Sequence, residues 1–167
     1  MKKYIFVAIC SVLVLLWIAF IWSNSMQTGE DSGEVSSDVT DCINAVVEPV
    51  LGEPVSEHTV RKSAHFLEYM LLGVLASLDV VAISYALSRR SATFISLLML
   101  LSVVLSFAVA VIDEFFIQAA TDGRGPSWTD VGIDSAGALT GVIICIAIFL
   151  FAHRIAGKGK NKVNSQI

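Results

Sequence analysis

Residues 23–60 contain no lysine or arginine, although they hold eight acids. The whole chain is poor in charge, with 16% Asp, Glu, Lys and Arg, where a soluble domain carries about a quarter. Cysteine is also scarce: Cys10, Cys42 and Cys145 are dispersed and form no C-x-x-C. That pattern argues against a disulfide framework and against a thiolate metal site. No P-loop and no G-x-S-x-G occurs, so the sequence offers neither a standard nucleotide cradle nor a serine-hydrolase elbow.

Apolar sequence takes the place of charge. Hydrophobic residues make up 55% of the 167, and the mean hydropathy is +0.74. They fall in blocks rather than at amphipathic spacing. Four blocks, Tyr4–Trp22, Ala64–Ile83, Thr93–Ile117 and Val131–Ala152, have the length of a membrane span, roughly 20 residues. The expected fold is all-α: an integral membrane four-helix bundle, residues 1–155, followed by a basic cytoplasmic tail, residues 156–167. The opening "MKKYIFVAICSVLVLLWIAFIWSNS" could be a signal peptide. Its apolar run is long for one, and no A-x-A cleavage pattern follows, so a retained first span is expected.

Lysine and arginine set the expected orientation. Lys2, Lys3, Arg89, Arg90, Arg154, Lys158, Lys160 and Lys162 fall on one side, and only Arg61, Lys62 and Arg124 on the other. Both termini are therefore expected to be cytoplasmic, with 23–62 and 118–130 outside. The formal charge of −4 averages an acidic outer loop and a basic tail. The tail suits a flexible segment beside anionic lipid. Membrane lipids are expected partners and nucleic acid is not.

Within the outer loop, "WSNSMQTGEDSGEVSSD" reads as polar and turn-prone. Val39, Ile43, Val46, Val47, Val50 and Leu51 then recur at helical spacing, which predicts an amphipathic helix between the first two spans. Pro49 disturbs it and Gly52 with Pro54 ends it. Such a helix can lie on the membrane surface or serve as a lid.

Three polar stretches remain to be explained. In "RKSAHFLEYMLL", Arg61, His65 and Glu68 share a helix face, flanked by Lys62 and Tyr69, and the same stripe leads on to Asp79. Snorkelling accounts for the two cations but not for His65 and Glu68, which point into the span. In "VIDEFFIQ", Asp113 continues a stripe through Ser102, Ser106 and Val109, while Glu114 and Gln118 form a neighbouring face. In "GRGPSWTDVGIDSAGALTGV", Ser127 or Thr129 can cap a helix whose face carries Asp130, Asp134, Gly137 and Gly141. Small residues four apart let another helix approach, so this acidic face is also the packed one. The second span starts outside, the third ends outside and the fourth starts outside. All three stretches thus converge in the outer leaflet. Charge at mid-membrane costs at least about 2.5–3.5 kcal/mol, so these groups should meet inside the protein rather than face lipid. The result is either an ion-paired plug or an outward-facing polar site.

These stretches together resemble the VanZ-like family of small bacterial membrane proteins, named for a member associated with teicoplanin resistance. The matching features are "WSNSMQ", "RKSAHFLEY", "DEFFIQ", "GRGPSWTD" and "DVGIDSAGALTG", in the family's order. The resemblance singles out Lys62, His65, Glu68, Tyr69, Asp113, Glu114, Gln118, Arg124, Asp130, Asp134 and Gly137. It implies a multi-pass protein of the bacterial plasma membrane with an envelope-related role. Asp134 stands where the family has either Asn or Asp.

Three functions fit. An enzyme acting on an amphiphilic envelope molecule, such as a lipid-linked cell-wall intermediate, would draw its acid and base from His65, Glu68, Asp113, Glu114 and Asp130. Arg61, Lys62, Tyr69, Gln118, Arg124, Ser127 and Asp134 would then bind substrate, the cations through phosphate. No nucleophile with an adjacent base stands out. A non-catalytic protein could bind or shield a glycopeptide or a lipid headgroup. A small proton-coupled carrier would use Asp79 and the Ser102/Ser106 stripe. A hard cation at His65 and the acids is a further alternative. No metal ligand or cofactor is assigned, and no oligomeric state follows from the sequence.

Overall fold

Side-chain caps set where most of the helices begin. The computed structural model describes residues 1–88 and 91–164, with the side chains of Leu51 and of 157–164 left out. Helix α1 spans Lys2–Ser25 and α2 spans Gly29–Leu51. Helix α3 spans Glu57–Ala86, α4 Ala92–Ile112 and α5 Trp128–Asn164. Thr28, Ser56 and Ser91 each accept a backbone N–H of the turn they open, from Asp31, Thr59 and Phe94. Ser127 does the same for α5, accepting the Asp130 N–H at 3.2 Å.

The cap at Ser56 has a consequence for the site. It starts α3 ahead of the apolar block, so Arg61 and Lys62 already sit on an established helix. The cap at Thr28 corrects an expectation. The polar stretch read as turn-prone is helical from Gly29 onward, supported by Glu30 and Asp31 at the positive end of the helix dipole. Pro49 lies within the last turn, and Gly52, at φ 81°, provides the left-handed residue that ends the helix. Of the predicted apolar face, Val39, Val46 and Val50 are exposed, while Ser32 and Thr40 of the same helix are buried.

Four helical segments are long and apolar enough to cross a membrane: Lys2–Ser25, Glu57–Ala86, Ala92–Ala120 and Trp128–Ala156. Their mean hydropathy lies between 1.9 and 2.8, and no strand occurs among the described residues. Outward-facing leucines such as Leu15, Leu16, Leu97 and Leu105 suit a lipid environment. This is the make-up of a multi-pass membrane protein. Arg89 and Arg90, which entered the orientation reading, lie outside the described residues, as do 165–167. Helical backbone continues through the basic segment to Asn164.

The closest helix approach is between α3 and α5. A Cβ on Gly137 would fall on the Phe66 carbonyl, one on Gly141 on the Met70 carbonyl, and one on Gly73 on the Ala138 carbonyl. The two α5 glycines read from sequence as packing residues are joined by a third, on α3. Around this crossing, Ile21, Tyr69, Leu72, Ala110, Val131 and Ala138 form one apolar cluster. Ile95, Met99 and Val142 form a second, further along the same helices.

Past Ile112 the regular helix changes. Asp113–Ile117 form one π-helical turn and Gln118–Ala120 a 3₁₀ turn. The backbone N–H of Gln118 is shared between the Asp113 and Glu114 carbonyls. Widened turns of this kind recur at functional sites.

Candidate functional site

The polar stretches meet where α1 and α4 end and α3 and α5 begin. The π turn brings the acids of "DEFF" inward together. Asp113 is 0% exposed, Glu114 2% and Gln118 7%. The Gln118 amide ties them, its Nε2 donating to Glu114 Oε1 at 2.5 Å and to Asp113 Oδ2 at 3.3 Å.

Other helices complete these partners. Ser25, the last residue of α1, donates its hydroxyl to Asp113 Oδ2 at 2.9 Å. The backbone N–H of Ser127 donates to the second Glu114 oxygen, Oε2, at 3.0 Å. Glu68 accepts from Asn24 Nδ2 at 2.9 Å, and Trp17 Nε1 donates to its backbone carbonyl at 2.9 Å. At the mouth, Lys62 pairs with Asp130 at 2.9 Å, both about one-third exposed, a geometry of small net stabilisation. Arg61 is exposed beside them.

Arg124 reaches in from the loop before α5. Its guanidinium donates to the Ser25 carbonyl at 3.3 Å, to Gln118 Oε1 at 3.5 Å and to the Ser32 hydroxyl of α2. One residue thus joins α1, α2 and the 3₁₀ turn that follows the π turn. Partial burial, together with the nearby Arg61 charge, lowers the Arg124 pKa from its ordinary value. The Gly123 backbone packs directly on Gly29, where a Cβ would meet the Gly123 carbonyl. That approach keeps the loop against the start of α2.

Deeper in, partners run out. Asp134 is 0% exposed, and neither carboxylate oxygen has a hydrogen-bond partner among the described residues. Asp113 Oδ1, His65 Nδ1 and the Tyr69 hydroxyl are likewise unpartnered. His65 Nδ1 lies 4.0 Å from Asp134 Oδ1 and 4.0 Å from Glu68 Oε2, near both and hydrogen-bonded to neither. Buried carboxylate oxygens without donors are costly, more so than any other polar group here.

Two cavities open onto this cluster and share Arg61, His65 and Arg124. One, of about 330 Å³, has mostly polar walls that include Lys62, Glu114, Gln118, Ser127, Asp130 and Asp134. The other, of about 190 Å³, runs between α2 and α3 and is mostly apolar, with Val35, Val39, Val60 and Ala64 joined by Asn24 and Glu68. The first is at the lower end of small-ligand pocket sizes, enough for a headgroup but not for a whole lipid.

Of the residues singled out by sequence, Arg61, Lys62, His65, Glu68, Tyr69, Asp113, Glu114, Gln118, Arg124, Ser127, Asp130 and Asp134 all lie in or against this cluster. Asp79 does not. It lies about three helical turns further along α3 and accepts from Ser11 at 2.9 Å. The hydroxyls of Ser102 and Ser106 turn back to carbonyls of their own helix, Met99 and Ser102. Sequence reasoning left out Asn24, Ser25 and Ser32. Their signal was available, since the first span also ends on the side where the other three polar stretches gather, and "SNS" follows its last tryptophan.

Comparison with known proteins matches the chain to a protein family. The family model described as VanZ/LLP1 covers residues 10–151, from the first span through the fourth and so across every helix of the site. No curated protein and no solved structure matches the chain.

Proposed function

This chain belongs to the VanZ/LLP1 family, and from that premise we propose that it binds the phosphate-bearing headgroup of an amphiphilic envelope molecule. The observation that carries the reading is the pair of neighbouring cavities, one polar and one apolar, sharing Arg61, His65 and Arg124. A headgroup belongs in the polar cavity, with Arg61, Arg124 and Lys62 on phosphate oxygens. The first apolar carbons belong between α2 and α3, against Val35, Val39 and Val60. Guanidinium groups suit this task because their forked donors match phosphate oxygens.

The lysine and arginine distribution supports an outward-facing site in the outer leaflet of a bacterial plasma membrane, with both termini cytoplasmic and α2 lying outside. A lipid-linked cell-wall intermediate is a molecule of the right chemistry in that place. Binding it would alter how a teicoplanin-type glycopeptide meets its target, which is the route by which the family's association with resistance would apply here.

Chemistry on the bound headgroup is the stronger form of this reading. Glu68, Asp113, Glu114 and His65 sit close enough to divide the roles of acid and base, and a buried, partnerless Asp134 is poor architecture for a purely structural plug. A shield without turnover is the second reading, favoured because the Ser127 hydroxyl, the nucleophile candidate, serves as the α5 cap.

Native mass spectrometry of the full chain tests binding. The wild type should retain phosphate-bearing prenyl lipids or phospholipids in preference to an uncharged glycolipid. Arg124→Gln should lose that preference at least about tenfold, the scale of a charge-assisted contact. Equal retention of charged and uncharged lipids by the wild type would remove the proposal. Lipid and muropeptide profiles of cells carrying wild type or Glu68→Gln separate the two forms. Changed products mean turnover, and unchanged products with a persistent glycopeptide phenotype mean a shield.

A further inference from the structure

We propose that His65, Asp113 and Asp134 bind one divalent metal cation, of the Mn²⁺ or Zn²⁺ class, at the floor of the polar cavity. One ligand atom from each of the three lies within 4.8 Å of the other two, and they come from three different segments, α3, the π turn and α5. Three ligands held at about 2.0–2.2 Å around one ion stand roughly 3.4–3.8 Å apart, so the side chains need to close by up to about an ångström.

Proximity of acids alone would carry little. The second observation is the run of unpartnered acceptors at this one point: both oxygens of Asp134, Oδ1 of Asp113 and Nδ1 of His65, with both aspartates 0% exposed. Most of the donors around them already have partners, with Arg61 exposed at the cavity mouth. Asn24 donates to Glu68 and Lys62 pairs with Asp130. Gln118 donates to Asp113 Oδ2 and Glu114, and Arg124 to Ser25, Gln118 and Ser32. Tyr69, whose hydroxyl is also unpartnered, can add one donor but no charge. Several acceptors with no donor share a need that a cation meets at once and a proton meets only singly.

The charge and the outer contacts agree. Two carboxylates and a neutral imidazole sum to −2, matching a divalent ion. A set mixing imidazole with carboxylate lies between the ions preferred by each alone, which points to Mn²⁺ or Zn²⁺ rather than Ca²⁺ or Cu⁺. Asp113 has its other oxygen, Oδ2, fixed by Ser25 at 2.9 Å and by Gln118 at 3.3 Å, an outer shell that aims Oδ1 inward. Three protein ligands leave coordination positions open toward the polar cavity. There a phosphate oxygen of the headgroup would complete the shell, so the inference deepens the proposed function of the same site.

The test uses the full chain in nanodiscs, stripped with chelator and titrated with Mn²⁺, Zn²⁺ and Mg²⁺ in the absence of any prenyl lipid. Bound metal is counted by mass spectrometry after desalting, and Mn²⁺ is followed by electron paramagnetic resonance. The expected result is one ion per chain. His65→Gln and Asp134→Asn should each weaken affinity at least about tenfold, while Asp79→Asn leaves it unchanged. Nitrogen hyperfine coupling from one imidazole on wild-type Mn²⁺ is expected and needs no variant. No retained ion, equal affinity in wild type and both variants, or Mn²⁺ without imidazole coupling would each overturn the proposal. Failure here leaves headgroup binding standing, because lipid retention is measured without added metal. Loss of lipid preference with metal binding intact sinks only the headgroup reading.

Discussion

The same three helices pass through two regions that satisfy most of their polar groups differently. In the half around Met99 and Val142, Ser77, Ser102 and Ser106 return their hydroxyls to carbonyls of their own helices. Each span there satisfies these hydroxyls alone, and the polar bonds between spans are few, Ser11 to Asp79 and Lys3 to the Ala86 carbonyl. At the other end the bonds cross between segments: Asn24 to Glu68, Ser25 to Asp113, Ser127 to Glu114, Lys62 to Asp130. Even so, the carboxylate of Asp134 is left over. Polarity within a span is thus a poor marker of a site by itself. Polar groups that depend on other helices, with acceptors remaining after all pairs are made, are a better one.

Substitutions can break this contrast in graded steps. The largest effect is expected in packing. Gly141→Ala puts a methyl group on the Met70 carbonyl, and α3 must move away from α5. It should cost about 3 kcal/mol in thermal or denaturant unfolding of the detergent-solubilised chain. Ser25→Ala comes next. It removes a donor from a fully buried carboxylate, for about 1–3 kcal/mol. The matching change in the other half, Ser106→Ala, deletes only a bond internal to its helix and should cost clearly less in the same assay. Lys62→Ala breaks a pair that is one-third exposed, and the unfolding midpoint should move by no more than about 1 kcal/mol. Smallest is Asp79→Asn. The Ser11 hydroxyl can still donate to the amide oxygen, and phosphate-lipid retention should match the wild type. A fall in retention there would dissolve the distinction between the two regions and favour a carrier.

Much of this organisation is legible in the sequence. Four apolar blocks announce the spans because lipid demands length and composition, both local properties. The direction of each span then tells which polar stretches share a depth, and so "RKSAHFLEY", "DEFFIQ" and "TDVGID" could be grouped although residues 70–112 separate the first from the other two. The start of α2 was less legible, since its first turns are polar and only the Thr28 cap marks them. The π turn left no trace, because Phe115 and Phe116 fit a lipid-facing or a packed position equally well at either helical spacing. Arg124 was visible as a cation, but its reach to Ser25 and Ser32 depends on Gly123 seating against Gly29, a contact across the fold. Pairing between side chains was the least legible part, and it is what separates satisfied Glu114 from partnerless Asp134.

Asp134 therefore carries the central claim, that this end of the molecule is built to hold a ligand rather than to hold itself together. The most direct measurement is the unfolding stability of wild type and Asp134→Asn in the same detergent, without and then with Mn²⁺. An isosteric amide in place of a partnerless buried carboxylate should leave the metal-free chain at least as stable as the wild type, and added Mn²⁺ should stabilise only the wild type. A metal-free loss of about 2 kcal/mol or more in the variant, with no differential response to the ion, would make Asp134 a structural residue and contradict the account.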